Sequence, residues 1–265
     1  MKTAALLLLT IVLFFSCKQN TKDMDYKKEI LDVTTSIYPE NISKIFDAHG
    51  GIDKWNTFKK MYFEIEKPTI NDKYDVALKS RKSLITSEHH LLGYDGENVW
   101  IKNLDTTQYK GNAKFFYNLM FYFYAMPYVL GDDGIHYQDV EAITFQGKEY
   151  PGIKISYDAG VGESSDDEYV LYYDKDTNKM AWLAYTVTYF SKEKSKKFNL
   201  IKYTDWDAVN GLQLPTAIQW YVFKDGEVGE KDEDHGSMTF VNAKLFKEIQ
   251  DDNMFKAPED ATLVE

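Results

Sequence analysis

With 265 residues, 42 acidic against 31 basic side chains and a formal charge of −11, the chain repels polyanions, and Arg81 is its single arginine, so nucleic acid is excluded as a partner. An aromatic content of 15 %, twenty tyrosines included, excludes a disordered chain and calls for many half-buried rings, as a sheet with one solvated face offers. A lone cysteine leaves no disulfide framework.

The chain opens with Met1-Lys2, the apolar run Ala4 to Phe15, and Ser16-Cys17. This reads as a secretory signal peptide over residues 1–16, because the run falls short of the about 20 apolar residues a membrane span needs and a polar stretch follows it. A cysteine directly after a small residue at the end of such a run resembles the lipobox of bacterial lipoproteins, with Phe14 where leucine is commonest. The resemblance implies lipid attachment at Cys17; an ordinary signal peptide with an incidental cysteine is the plainer alternative. Residues 17–28 then form a polar tether, and 29–265 a single domain.

Ile30, Val33, Ile37, Ile42, Ile45 and Phe46 follow helical spacing, and Pro39 divides them, so a second helix is expected from Pro39-Glu40 to the stop at His49-Gly50-Gly51. His49 there suits a helix C-terminus, where the dipole favours a cation. Asp53 is the expected N-cap of a short turn carrying Trp55 and Phe58. From Met61 the period drops to two: Met61, Phe63 and Ile65, then Tyr74, Val76 and Leu78, alternate with polar residues. Further strands are expected over 84–92, 98–102, 136–145, 152–157, 168–173, 180–190, 197–206, 214–223 and 236–246. Turn pairs such as Asp95-Gly96, Asn210-Gly211 and Asp225-Gly226 punctuate them. Roughly ten strands with short connections make a mainly β, α+β chain built as an antiparallel meander. A sheet that wide must curl or be covered.

The cover is the run Phe115 to Leu130, FFYNLMFYFYAMPYVL, in which Asn118 is the one purely polar side chain. A helix apolar all round needs company on every side, and Pro127 would break or kink its last turn. It is expected as a buried plug against the sheet, with a lipid-sized apolar hollow between them.

A helix ending in the pair Gly50-Gly51, then strands, then Tyr94-Asp95-Gly96-Glu97-Asn98-Val99-Trp100-Ile101, Asn210-Gly211-Leu212-Gln213-Leu214-Pro215 and Met254-Phe255-Lys256-Ala257-Pro258 come in an order that resembles the outer-membrane lipoprotein carrier and sorting proteins (LolA/LolB-like). Ala48-His49-Gly50-Gly51 with Trp55, Gly160-Val161-Gly162-Glu163 with Asp166-Asp167-Glu168-Tyr169, and Trp182-Leu183-Ala184-Tyr185-Thr186-Val187-Thr188 are similar to an uncharacterised lipoprotein family of Bacteroidota that shares that fold. The resemblance implies a curved antiparallel half-barrel wrapped round helices, whose concave side receives acyl chains. It also implies that Arg81 holds the lid. With Cys17 acylated, the protein is expected as a monomer anchored in the cell envelope, on the outer membrane, binding a lipid or lipoprotein.

Candidate cavity residues are Phe116, Leu119, Met120, Phe123 and Met126 from the central run, since methionine and aromatic rings repack around irregular apolar guests, with Trp100 and Trp220 as further lining. A dry, filled core is the plain alternative for each. The loop 160–168 carries four carboxylates but lacks the spacing of a calcium loop, so a solvated acidic turn is the simpler assignment. The five histidines form no metal-binding pair at helical spacing, and no nucleophile elbow, phosphate loop or dinucleotide fingerprint occurs. No metal, cofactor or catalytic residue is therefore expected. Two other functions stand beside acyl binding: surface attachment to a glycan or protein with a filled interior, and an envelope hydrolase using the carboxylates at 163–168.

Overall fold

The structure is a computed structural model that describes residues 37–158, 167–191 and 193–264. The expected signal peptide, Cys17 and the tether lie outside the described residues, as do most of the first predicted helix and most of the acidic loop.

Helix α1 (Glu40–Ala48) begins directly after Pro39 and buries Ile42, Ile45 and Phe46, the stripe its spacing announces. It stops at Gly50 and Gly51, both at positive φ. Helix α2 (Ile52–Asn56) takes Gly51 as its N-cap, so Asp53 sits in the first turn and is not the cap; Trp55 points inward and stacks on Tyr128 with ring centroids 4.7 Å apart.

The strands β1 (Lys60–Ile65), β2 (Asp72–Ala77), β3 (Ser83–Thr86), β4 (His90–Tyr94) and β5 (Val99–Asn103) form the first meander. Helix α3 (Ala113–Tyr124) and a 3₁₀ turn (Tyr128–Gly131) follow. The second meander is β6 (Ile135–Phe145), β7 (Lys148–Tyr157), β8 (Tyr169–Tyr173), β9 (Met180–Tyr185) and β10 (Asn199–Tyr203). The chain ends with β11 (Trp206–Val209), β12 (Leu212–Pro215), β13 (Ala217–Lys224), β14 (Glu227–Lys231), β15 (Ser237–Phe246) and β16 (Thr262–Leu263).

Fourteen of these strands share one open, curved antiparallel sheet in the order β16-β5-β4-β3-β2-β1-β15-β13-β10-β9-β8-β7-β6, with β14 also on β13. Strand β15 joins the two meanders. Its first residues pair with β13 and the rest with β1, and the extra residue of a bulge is accommodated at Asn242, whose φ is 57°.

The described strands are more numerous than the roughly ten expected. The run 84–92 breaks at Ser87, whose N–H bonds His90 O, and the runs 197–206 and 214–223 break to release the separate β11–β12 hairpin. Strand β14 is almost wholly polar, so alternation does not reveal it.

Register places Phe63, Tyr74, Ile85, Leu92 and Ile101 in one row across the first meander, and Ile153, Leu171, Leu183, Ile201 and Trp220 in another across the second. Both rows belong to the main core that receives α3. A smaller cluster on the opposite face gathers Trp182, Tyr172, Val170 and Leu200 under Ile143 and Phe145 of β6, whose ladder is bulged between Val140 and Ile143.

Helix α3 is capped by Asn112, whose side chain accepts the Phe115 N–H at 3.0 Å. It ends at Tyr124, earlier than the single helix expected over 115–130: Pro127 has no N–H to continue the ladder, and the chain resumes only as a 3₁₀ turn. The helix packs on β3, β4 and β5. Tyr124 lies between Phe63 (4.3 Å) and Phe240 (4.6 Å), and Tyr117 against Tyr94 (4.8 Å). Burial of an aromatic ring such as Phe121 is worth about 1.5–3 kcal/mol. Two buried hydroxyls fix the helix backbone, Ser83 Oγ donating to Tyr117 O and Tyr203 Oη to Phe123 O at 2.8 Å.

Candidate functional site

Because α3 leans on the first meander, its other side stands off from the second, and a cavity of about 170 Å³ remains there. The helix contributes Lys114, Asn118 and Tyr122, spaced four apart, and beside them Leu119 and Phe123, and Met126 follows just past its end. Facing them are Tyr157 of β7, Tyr169 of β8, Tyr185 of β9 and the following Thr186 and Val187; Val129, Asp132 and Ile135 line the far end. An engineered apolar cavity of about 150 Å³ holds benzene, so this space takes one ring or a short hydrocarbon segment. It is smaller than the lipid-sized hollow expected, because rings such as Tyr124, Phe123 and Trp220 fill the adjoining space.

The polar groups around the cavity are mostly engaged. Asp167 is buried and accepts the Thr188 N–H at 2.6 Å and the Thr186 hydroxyl at 3.4 Å. Asp132 is paired with Arg81, whose guanidinium also lies over the rings of Phe121 and Tyr122. Tyr185 Oη accepts the Trp220 indole N–H at 3.0 Å. Burial raises the pKa values of Tyr157, Tyr169 and Tyr185, so all three stay protonated. Asn118 differs: it is 4 % exposed and its Oδ1 has no hydrogen-bond partner among the described residues. At the mouth, Phe115 meets Tyr189 and Phe190 with centroids 5.3 and 5.0 Å away.

Of the residues singled out from the sequence, Leu119, Phe123 and Met126 stand on the cavity wall. Phe116 is 39 % exposed beside Phe115, and Met120 is half-buried against the core outside the lining. Trp220 lies one ring behind the wall, edge-on to Phe123 at 6.3 Å. Trp100 lies on the other face of the sheet from the cavity: it pairs with Gly93, rests where a Cβ would stand, and donates its indole N–H to Phe255 O at 3.0 Å. Arg81 clasps the turn before β3 to α3 and to Asp132. Asn118, Tyr157, Tyr169 and Tyr185 were not singled out; the lone polar residue in an apolar run is the signal that marks Asn118.

His49 is not the dipole-favoured cation expected. It is fully buried, Nδ1 bonds Ile45 O at 2.7 Å, and burial lowers its pKa to about 4. Among the described residues no group of three His, Cys, Asp or Glu side chains is placed to hold a metal ion, and no helix is long and apolar enough to cross a membrane. Glu168, from the acidic loop, pairs with Lys154 at 2.9 Å.

One family model, described as a family of unknown function (DUF6503), matches residues 2–229. The chain belongs to this family. A DUF1329 family protein from Desulfovibrio piger is similar in structure, at 14 % identity and a TM-score of 0.46, over 82 % of this chain and 98 % of that one. A LolA superfamily protein from Nitrosomonas europaea is similar at 13 % identity and a TM-score of 0.44, over 75 % of this chain and 88 % of that one. Both likenesses are too distant to lend this DUF6503 member a function. No curated protein matches the sequence.

Proposed function

We propose that this protein holds the hydrocarbon part of a small molecule, such as the end of an acyl chain, in the cavity beside α3, and that it works by binding and not by catalysis. The observation that carries the proposal is the mostly apolar space between Leu119, Phe123 and Met126 on one side and the tyrosines of the second meander on the other. The neighbouring carboxylates support binding over chemistry, since Asp167 is occupied by the Thr188 amide and Asp132 by Arg81. The proposal includes the setting read from the sequence: a monomer of the cell envelope, on the outer membrane, lipid-anchored through Cys17.

Titration with N-phenylnaphthylamine, a neutral apolar dye that brightens in dry surroundings, tests it. We expect saturable brightening at one dye per protein, and its loss in Leu119→Trp, which fills the cavity, while the circular dichroism spectrum is kept. Brightening of equal size in wild type and Leu119→Trp places the dye elsewhere and defeats the proposal.

A further inference from the structure

A buried amide oxygen without a partner forfeits the hydrogen bond it had in water, and proteins seldom keep such a group where an apolar residue of the same shape would fit. Asn118 is one, in the middle of α3, and it lines the cavity. We infer that the ligand of this cavity is a neutral amphiphile whose hydroxyl or amide N–H donates to Asn118 Oδ1 while its hydrocarbon part lies along Leu119, Phe123 and Met126. This rests on the cavity being a binding site, as proposed above.

The surroundings select the head group. Asp167 borders the space and Asp132 is already taken by Arg81, so a carboxylate there meets a like charge at Asp167, and Lys114, a cation of the lining, stands exposed one helical turn toward the mouth. The buried tyrosine hydroxyls are protonated, and the Tyr185 oxygen already takes the Trp220 N–H. An uncharged donor answers what the site lacks: it satisfies the Asn118 carbonyl and brings no charge into the dry space.

Displacement of N-phenylnaphthylamine by octanol, octanamide, octyl methyl ether and octanoate, near neutral pH, tests the assignment. The four share one chain and differ in the head. Octanol and octanamide are expected to compete about tenfold better than the ether and octanoate, the step one hydrogen bond is worth. In Asn118→Leu the preference over the ether is expected to vanish while the ether competes as before and octanoate stays disfavoured. The variant is also expected to melt higher without ligand, since it removes an unpaired buried oxygen. Equal competition by all four in wild type, tightest competition by octanoate, or a preference over the ether that survives in Asn118→Leu overturns the inference and leaves the apolar site standing. Failure of every compound to compete overturns the site along with it. The comparison of the four in wild type stands whatever the fate of the variant.

Discussion

His49 carries the clearest pH dependence at the scale of single residues. Its ring is sealed against Trp206, with centroids 4.4 Å apart, and Nε2 has no partner among the described residues. The unfolded chain protonates it near pH 6.5, as for a model histidine, whereas the native pKa is about 4. A depressed native pKa means the stability is complete above the unfolded value and is lost as pH falls from there toward 4. Two to three pKa units correspond to roughly 3 kcal/mol. Urea unfolding at about pH 7 and about pH 4.5 should show wild type losing most of that amount beyond the loss in His49→Leu; parallel losses would mean the ring is open to water. Gly50 is constrained differently. At φ +103° its Cβ would lie 2.3 Å from Gly211 O, so Gly50→Ala should cost at least about 2 kcal/mol and lower Tm by several degrees in a calorimetric scan. The sequence marks this position as a helix stop, but its approach to the β11–β12 turn is invisible there, because that contact joins residues far apart in the chain.

Among the elements, α3 decides the site, and two substitutions probe how it is held. Tyr203→Phe leaves the buried Phe123 carbonyl without its donor and should cost about 1–3 kcal/mol, read as a drop in the urea midpoint. Arg81→Gln removes the guanidinium from above Phe121 and Tyr122 and its pairing with Asp132, which is half-exposed. The loss should be about 1–2 kcal/mol and appear as faster hydrogen exchange across α3; unchanged exchange would show that the clasp is idle. The presence of this helix and its burial are legible in the run from Phe115. Its rotation is not, since a helix apolar all round offers no polar face to fix which side meets a hollow. Phe116 therefore lies outside the cavity while Asn118 and Tyr122 line it. Strand residues fare likewise: alternation separates Trp100 from its neighbours but does not say which face is the core, and only pairing with Gly93 and contact with Phe255 decide it.

For the whole molecule, a ligand that binds only the native state raises stability by about 2.7 kcal/mol at one hundred times its Kd, so saturating octanol should raise Tm by several degrees in wild type and by less in Leu119→Trp. The mainly antiparallel architecture is legible because turn pairs such as Asp95-Gly96 and Asn210-Gly211 stand between alternating runs. The order of strands is not, because β15 enters the middle of the sheet from the end of the chain. That placement has a cost in time. Lys60 finds its partner Phe246 only after nearly all the chain exists, so a polypeptide leaving the ribosome carries two separate sheets, one with β1 bare and the other with β13 covered only in part by β14, until β15 arrives. Such edges invite pairing with neighbours, and a chain cut short before Ser237 should aggregate, however sound each meander is alone.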